Sequence, residues 1–285
     1  MNSRVAHRYD DQLFRGMGVT ATVSCLAILI IFIGFILYQG MDRLSWEFMT
    51  SLPSRFAERS GIYTAWAGTL WVMVCTTLIS FPVGVGAGIY LEEYGKKGRL
   101  STLLEINIAN LAGVPSIIYG LLGLEVFVRL MKMGSSILAG ALTLSLLILP
   151  IIIVATREAV RAVPKTIKEA SFALGASKWQ TIWNQTLPAS FGGILTGVIL
   201  AISRAVGETA PLIVIGALAY VPFAPSGPLD EFTVLPIQIF NWVSRPQHEF
   251  VINAAAAIIV LLLITFVLNG VAVYLRYRWQ QKLKW

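Results

Sequence analysis

An arginine and a glutamate stand four residues apart in Ser203-Arg-Ala-Val-Gly-Glu-Thr-Ala-Pro-Leu212, within a stretch otherwise apolar enough for a lipid bilayer. An arginine at the centre of a spanning helix is unfavourable by about 2.5–3.5 kcal/mol, so an ionisable pair there points to function. The guanidinium of Arg204 stays charged and offers a planar fork that matches the oxygens of an oxyanion, whereas a lysine would offer a single point charge. Glu208, one helical turn on, is placed to neutralise Arg204 in the absence of an anion, and Thr209 adds a neutral donor. The plainer reading of this spacing is a satisfied bridge that fixes neighbouring helices. Glu125 and Arg129 repeat the spacing at the predicted end of a span, where hydration favours the structural reading.

The elements that must hold these residues are membrane helices. The 285 residues are 56% hydrophobic and 13% charged, with a mean hydropathy of +0.72, which excludes an ordinary soluble domain. Apolar runs of roughly 20 residues, without the alternation of barrel strands, predict six spans near 17–38, 64–90, 106–128, 137–155, 189–210 and 251–275. The first run is uncharged over 16–41, longer than a signal-peptide core, and is expected to remain as a helix. With the fifth helix entering near Ser190, Arg204 lies about 21 Å along it, roughly two-thirds of the way across the hydrocarbon.

Positive residues mark the cytoplasmic side. They gather at Arg4, Arg8 and Arg15, at Lys96, Lys97 and Arg99, along 156–188, and in the tail from Arg276, so both termini are expected in the cytoplasm. The formal charge of +7 is then a topology signal rather than a nucleic-acid surface. The tail, 276–285, reads as a headgroup anchor.

Catalytic and cofactor signatures are absent from the sequence. Cys25 and Cys75 fall inside spans, His7 and His248 are isolated, and Gly95-Lys-Lys-Gly98 lacks the spacing of a phosphate-binding loop. No cofactor or metal is expected, and any ATP hydrolysis must come from a partner. Gly84-Val-Gly-Ala-Gly88 lies in an apolar run and, like Gly193 and Gly197, reads as a close-packing pair rather than a dinucleotide fingerprint. Pro82, Pro115, Pro150 and Pro211 predict kinked or broken helices.

The connection 156–188 is too regular for a slack loop. Pro164 is suited to open a short helix and Gly175 to stop it, and Ser177-Lys-Trp-Gln180 has the form of a capping box that starts a second helix. Trp179, Ile182 and Trp183 then form one apolar stripe before Leu187-Pro188 ends the element. By composition alone such an amphipathic pair would suit a bilayer surface or a partner's groove equally.

Glu169-Ala-Ser-Phe-Ala-Leu-Gly175, nine residues, and then Gln185-Thr-Leu-Pro188 resembles the EAA motif of ABC importer permeases in full spacing. Ser171 and Gln185 depart from the usual alanine and isoleucine. The resemblance implies that 164–188 is the coupling segment docking on a separate ATPase, with Glu169, Ala170, Gly175, Leu187 and Pro188 carrying that role. Arg204-Ala-Val-Gly-Glu-Thr-Ala-Pro-Leu212, Val114-Pro-Ser-Ile-Ile-Tyr-Gly120, Tyr90-Leu-Glu-Glu-Tyr94 and Leu235-Pro-Ile-Gln-Ile239 further resemble phosphate importer permeases of the PstA type.

The family implies an all-α integral membrane fold, the type I ABC importer permease, in the cytoplasmic (inner) membrane. Residues 1–63 would form the first helix and outer loop, 64–275 the importer domain and 276–285 the tail. It implies a non-catalytic subunit translocating inorganic phosphate, with Arg204, Glu208 and Thr209 on its path. Its partners would be a PstC-type permease, two PstB-type ATPases and a PstS-type binding protein. Sulfate or molybdate is the nearer alternative substrate. An ATPase-independent secondary transporter would more often show a repeat, and a membrane enzyme would need convergent catalytic groups.

Overall fold

In hydrocarbon every backbone N–H and C=O must find a partner within the chain, and a long helix achieves this locally. The computed structural model describes residues 2–95, 98–217 and 220–282, with side chains over 13–95, 98–99, 102–217 and 220–278. Its helices are α1 (Asn2–Gly40), α2 (Trp46–Thr50), α3 (Tyr63–Ile89), α4 (Arg99–Ala112), α5 (Ser116–Gly123), α6 (Ile137–Arg161), α7 (Lys165–Ala173), α8 (Lys178–Thr181), α9 (Leu187–Val206), α10 (Ala210–Val214), α11 (Leu235–Val243) and α12 (His248–Lys282). Wider π-type turns extend α3 over Tyr90–Tyr94 and α5 over Leu124–Leu130, and join α8 to α9 over Ile182–Thr186.

Among the described residues, five helices are long and apolar enough to cross a bilayer, and the bent pair α4–α5 would add a sixth crossing. The third span is not the single helix expected over 106–128. The chain turns by 99° between α4 and α5, where Pro115 lacks an N–H and pushes Val114 out of the helical region. Pro211 opens α10, whereas Pro82 and Pro150 lie inside continuous helices and do not break them.

Helix α6 is the axis of the core, with 61% of its most apolar 18 residues buried against 6% for α1. Two glycine pairs explain how α3 and α9 come so close to it. A Cβ on Gly84 or Gly88 would lie 2.6 Å from Ile152 or Thr156, and one on Gly193 or Gly197 would lie 2.8 or 2.1 Å from Ala159 or Ala155. Each pair spans one turn, so α3 and α9 rest on separate one-turn stripes of α6. Hydrogen bonds reinforce the contact: Ser145 Oγ donates to Ala141 O at 2.7 Å and to Thr76 O at 3.3 Å.

Helices α1 and α12 run antiparallel and touch where Gly40 meets Ala255 and Ala256. The connections 41–62, 131–136 and 207–247 therefore gather at one end of the bundle. The connections 90–98 and 162–186 lie at the other, together with the first and last described residues. At the first end Arg43 donates to Asn253 Oδ1 at 2.8 Å and to the carbonyls of Ala57 and Glu58 at 3.0 and 2.6 Å, pinning the 51–60 loop to α12. There too, hydrogen bonds from Ser226 and Gly227 hold the Asp230 carboxyl below its ordinary range. That depression stabilises the turn above the ordinary carboxylate pKa, a contribution lost as pH falls through the lowered value.

The fifth span runs from Lys178 to Val206 rather than over 189–210. Leu187-Pro188 does not end the second short helix. Leu187 N–H bonds back to Ile182 O, and this wider turn lets Pro188 enter the first turn of α9, where its missing N–H costs little. The predicted tail continues α12 to Lys282, and Arg276 Nη1 donates to Thr196 Oγ1 at 2.9 Å. Side chains from 279 onward, and residues Lys96 and Lys97, lie outside the described residues.

The glycine contacts make a paired prediction for thermal unfolding of the purified protein in detergent. Gly197→Ala should lower the midpoint, because overpacking costs about 1–3 kcal/mol. Gly86→Ala, with open space around it on α3, should leave the midpoint unchanged or raise it, since alanine is favoured over glycine in helices by about 0.5–1 kcal/mol. Equal midpoints for the two variants would refute the assigned role of Gly197.

Candidate functional site

The amphipathic hairpin has the local structure that its sequence dictates. Pro164 caps α7, and Gly175 at φ +82° closes it, with Gly175 N–H donating to Phe172 O at 2.9 Å and Ala176 N–H to Ser171 O at 3.2 Å. This is a Schellman cap, and its left-handed position is strained for any residue with a Cβ. The capping box forms in both directions between Ser177 and Gln180. Ser171, the departure from the alanine of the motif, shares a hydrogen bond of 2.9 Å with Thr181 Oγ1 and ties α7 to α8.

The two faces of the hairpin differ. Glu169, Ala170, Phe172 and Gly175 are exposed, and Leu174 is 90% exposed. Ile182 is buried beneath Trp179 and Trp183, whose rings stack at 5.7 Å. Leu187 and Pro188 are half-buried at the base of α9 rather than on the exposed hairpin. The structure thus brings Glu169, Ala170 and Gly175 together on one open face and sets Leu187 and Pro188 apart as the joint between hairpin and span.

Behind the hairpin lies a set of ion pairs that sequence reasoning missed. Arg157, only 7% exposed, contacts Glu105 Oε1 at 3.0 Å and Glu92 Oε2 at 3.5 Å. Arg161 reaches Glu92 at 3.0 Å and Glu158 at 3.1 Å. Glu93 pairs with Lys168 on α7 through its side chain, and its carbonyl accepts from Lys178 on α8. One short segment, Tyr90–Tyr94, therefore links the end of α3 to α6, α7 and α8, and through Arg157 and Arg161 to Glu105 on α4. The available signal was charge complementarity: Glu92 and Glu93 end one span on the same predicted side as the basic run 156–188.

The second candidate region lies toward the opposite end, where two broken helices meet. The α4–α5 break at 113–115 and the α9–α10 break at 207–209 are held together by α5 against α10, so closely that a Cβ on Gly120 would lie 2.7 Å from Pro211 Cα. Tyr119, 7% exposed, donates from Oη to Leu111 O at 2.7 Å and satisfies a carbonyl in the last turn of α4. Tyr119 is thus a core residue, with Ser116 half-buried beside it. Arg204 is exposed near the end of α9, with the Tyr119 phenol within reach of its charge.

Arg204 and Glu208 form no ion pair among the described residues, which corrects the expectation that Glu208 neutralises Arg204 one turn away. The physical reason is the end of α9 at Val206. Glu208 N–H bonds Ala205 O at 3.2 Å in a turn, and the helical spacing does not continue to its side chain. Thr209 Oγ1 makes a 3.4 Å contact to Gly207 O within the same turn. Glu125 and Arg129 do pair, at 3.0 Å on the surface.

Burial ranks the carboxylates. Glu92, with a side chain 19% exposed, serves two arginines, whereas Glu105 is 45% exposed and Glu125 is 68% exposed. Thermal unfolding should fall most in Glu92→Gln, less in Glu105→Gln and by under about 1 kcal/mol in Glu125→Gln, since exposed pairs contribute little and a buried charge stripped of its partner costs several. Equal shifts across the three would count against a central role for Glu92.

Residues 84–281 match the family described as binding-protein-dependent transport system inner membrane component. A probable ABC transporter permease protein YqgI of Bacillus subtilis is 33% identical over 273 residues, covering 91% of this chain and 93% of that protein. The phosphate transport system permease protein PstA of Yersinia pestis is 35% identical over 235 residues, covering 82% and 79%, and PstA 1 of Mycobacterium tuberculosis is 35% identical over 230 residues, covering 79% and 73%. Among solved structures, an inward-facing form of the MetNI methionine ABC transporter superposes with a TM-score of 0.58 at 18% identity, covering 75% of this chain and 91% of the matched chain. The chain belongs to the binding-protein-dependent transport permeases, as a permease subunit of the PstA type with the fold of an ABC importer permease.

Proposed function

We propose that this permease carries inorganic phosphate inward across the cytoplasmic membrane, with both termini and the 164–188 hairpin in the cytoplasm. The observation that carries this reading is Arg204: a guanidinium without an ion pair among the described residues, in an apolar frame, beside the meeting point of two broken helices. A cation so placed is costly unless something anionic visits it. Broken helices leave backbone groups free at membrane depth, as transport sites require. Phosphate as the visitor is supported by the names of the PstA relatives.

In this reading a PstS-type binding protein delivers phosphate at the far end, and a PstC-type permease completes the path. Two PstB-type ATPases supply the energy. One of them docks on the exposed face of α7 around Glu169, Ala170 and Gly175, and the Leu187-Pro188 joint passes its movement into α9. Glu92 and Glu93 connect the same movement to α3 and α6. Glu208 and Thr209, in the turn after α9, are proposed to complete the anion's surroundings during passage rather than to pair with Arg204 at rest.

The test is uptake of labelled phosphate into proteoliposomes holding the assembled complex and its binding protein. Arg204→Ala is expected to lose at least about tenfold in uptake, the loss of a charge-assisted interaction, with assembly and ATPase binding unchanged. Native uptake of sulfate or molybdate in place of phosphate would overturn the substrate, and uptake without ATP would overturn the coupling. Gly175→Trp meets open space, since a Cβ there has nothing within 4 Å, but it strains the cap at φ +82°. Abolished uptake in an inserted Gly175→Trp protein would assign the coupling role to the hairpin around Gly175, whereas normal uptake would remove that element from the mechanism.

A further inference from the structure

At the end of the bundle opposite the hairpin, the 51–56 loop, Tyr220 and the turn after α11 enclose a recess of about 470 Å³ lined by Pro53, Ser54, Arg55, Phe56, Tyr220 and Arg245. Two arginines and a tyrosine are among its lining residues, and no acidic residue is. Among the described residues neither Arg55 nor Arg245 has an ion pair. Arg43 provides the contrast from the same region, because its Nε and Nη2 donate to Asn253 and loop carbonyls, which gives it a structural role.

Both free arginines are held in place by their aromatic neighbours. Arg245 lies 4.2 Å over the Phe250 ring, which is buried and packs on Trp242 at 6.3 Å. Arg55 lies 5.1 Å over the Phe56 ring. The loop beneath it is fixed by Ser54 N–H donating to Ser60 Oγ at 3.1 Å, Phe56 N–H to Ser54 Oγ at 3.2 Å and Gly61 N–H to Leu52 O at 3.1 Å. Stacking occupies the faces of the guanidinium groups and leaves their N–H edges free, the groups that bind oxyanions. A cleft lined by one sign of charge also concentrates counter-ions at its mouth.

We propose that this recess is an outer anion site, in which Arg55 and Arg245 hold a tetrahedral oxyanion with part of its hydration shell and Tyr220 adds a neutral donor. The anion's identity as inorganic phosphate rests on the function proposed above; the site itself does not. The site lies toward the same end of the bundle as Arg204, where it would hold the anion before passage.

The experiment is equilibrium binding of radiolabelled inorganic phosphate to the assembled transporter in nanodiscs without the binding protein, with sulfate measured in parallel. The Arg55→Gln/Arg245→Gln pair is expected to weaken binding by about tenfold or more, as loss of charge-assisted hydrogen bonds requires. Arg55→Lys/Arg245→Lys should keep part of it, and Tyr220→Phe should lose less. A thermal unfolding midpoint equal to native confirms that the paired variant is folded. Native-strength phosphate binding in the folded Gln pair, or no binding of either anion to the native complex, overturns the site. Unchanged anion binding with lost association of the binding protein also overturns it and makes the recess a protein-docking surface. Native binding of sulfate but not phosphate, abolished in the Gln pair, upholds the site and overturns the phosphate reading.

Discussion

Lipid tails are as apolar as leucine, so helices within a bilayer gain little from hiding apolar side chains in one another and depend on close packing and a few hydrogen bonds. In this permease that constraint falls on α6. Gly84 and Gly88 bring α3 against Ile152 and Thr156, and Gly193 and Gly197 bring α9 against Ala159 and Ala155. Ser145 and Thr76 supply polar contact between α3 and α6. Because α9 carries both the hairpin joint and Arg204, its position against α6 sets where each end of the span lies.

The same backbone rule that favours long helices makes the two breaks informative. Pro115 and the end of α9 at Val206 both release the chain from helix, and α5 and α10 pack closely past them through Gly120 and Pro211. Tyr119 adds a hydrogen bond to the Leu111 carbonyl at the end of α4. Arg204 meets neither a carboxylate nor a carbonyl among the described residues, so the local structure leaves its charge available. At the other end the arrangement is reversed: Arg157 and Arg161 are held by Glu92 and Glu105. One end of the molecule satisfies its buried cations internally, while Arg204, Arg55 and Arg245 toward the other end have no ion pair among the described residues.

The hairpin is rigid where it is internal and open where it is exposed. A Schellman cap, a capping box and the Ser171–Thr181 hydrogen bond fix its shape without help from a partner. Lys168 and Lys178 bind it to Glu93, so displacement of α7 acts on α3 through ionic contacts as well as on α9 through the continuous backbone at Leu187-Pro188. Leu174, almost fully exposed beside Gly175, leaves apolar surface at the tip of this rigid element.

Local chemistry was legible in the sequence. Apolar run length predicted the membrane helices, Pro164, Gly175 and Ser177-Lys-Trp-Gln180 predicted the hairpin's starts and stop, and the glycine pairs predicted close packing, because each depends on residues within one or two turns. The EAA-like spacing and the Arg204 segment identified the family for the same reason. Tertiary structure decided what depends on distant partners or on competing backbone demands. Pro82 and Pro150 stay inside helices while Pro115 breaks one, and Pro188 is absorbed by a π-type turn rather than ending its helix. The end of α9 at Val206 separates Glu208 from Arg204, although four-residue spacing alone would pair them. Glu92 and Glu105 meet Arg157 across 65 and 52 residues of chain, and no local periodicity records a contact made only when α3, α4 and α6 pack together.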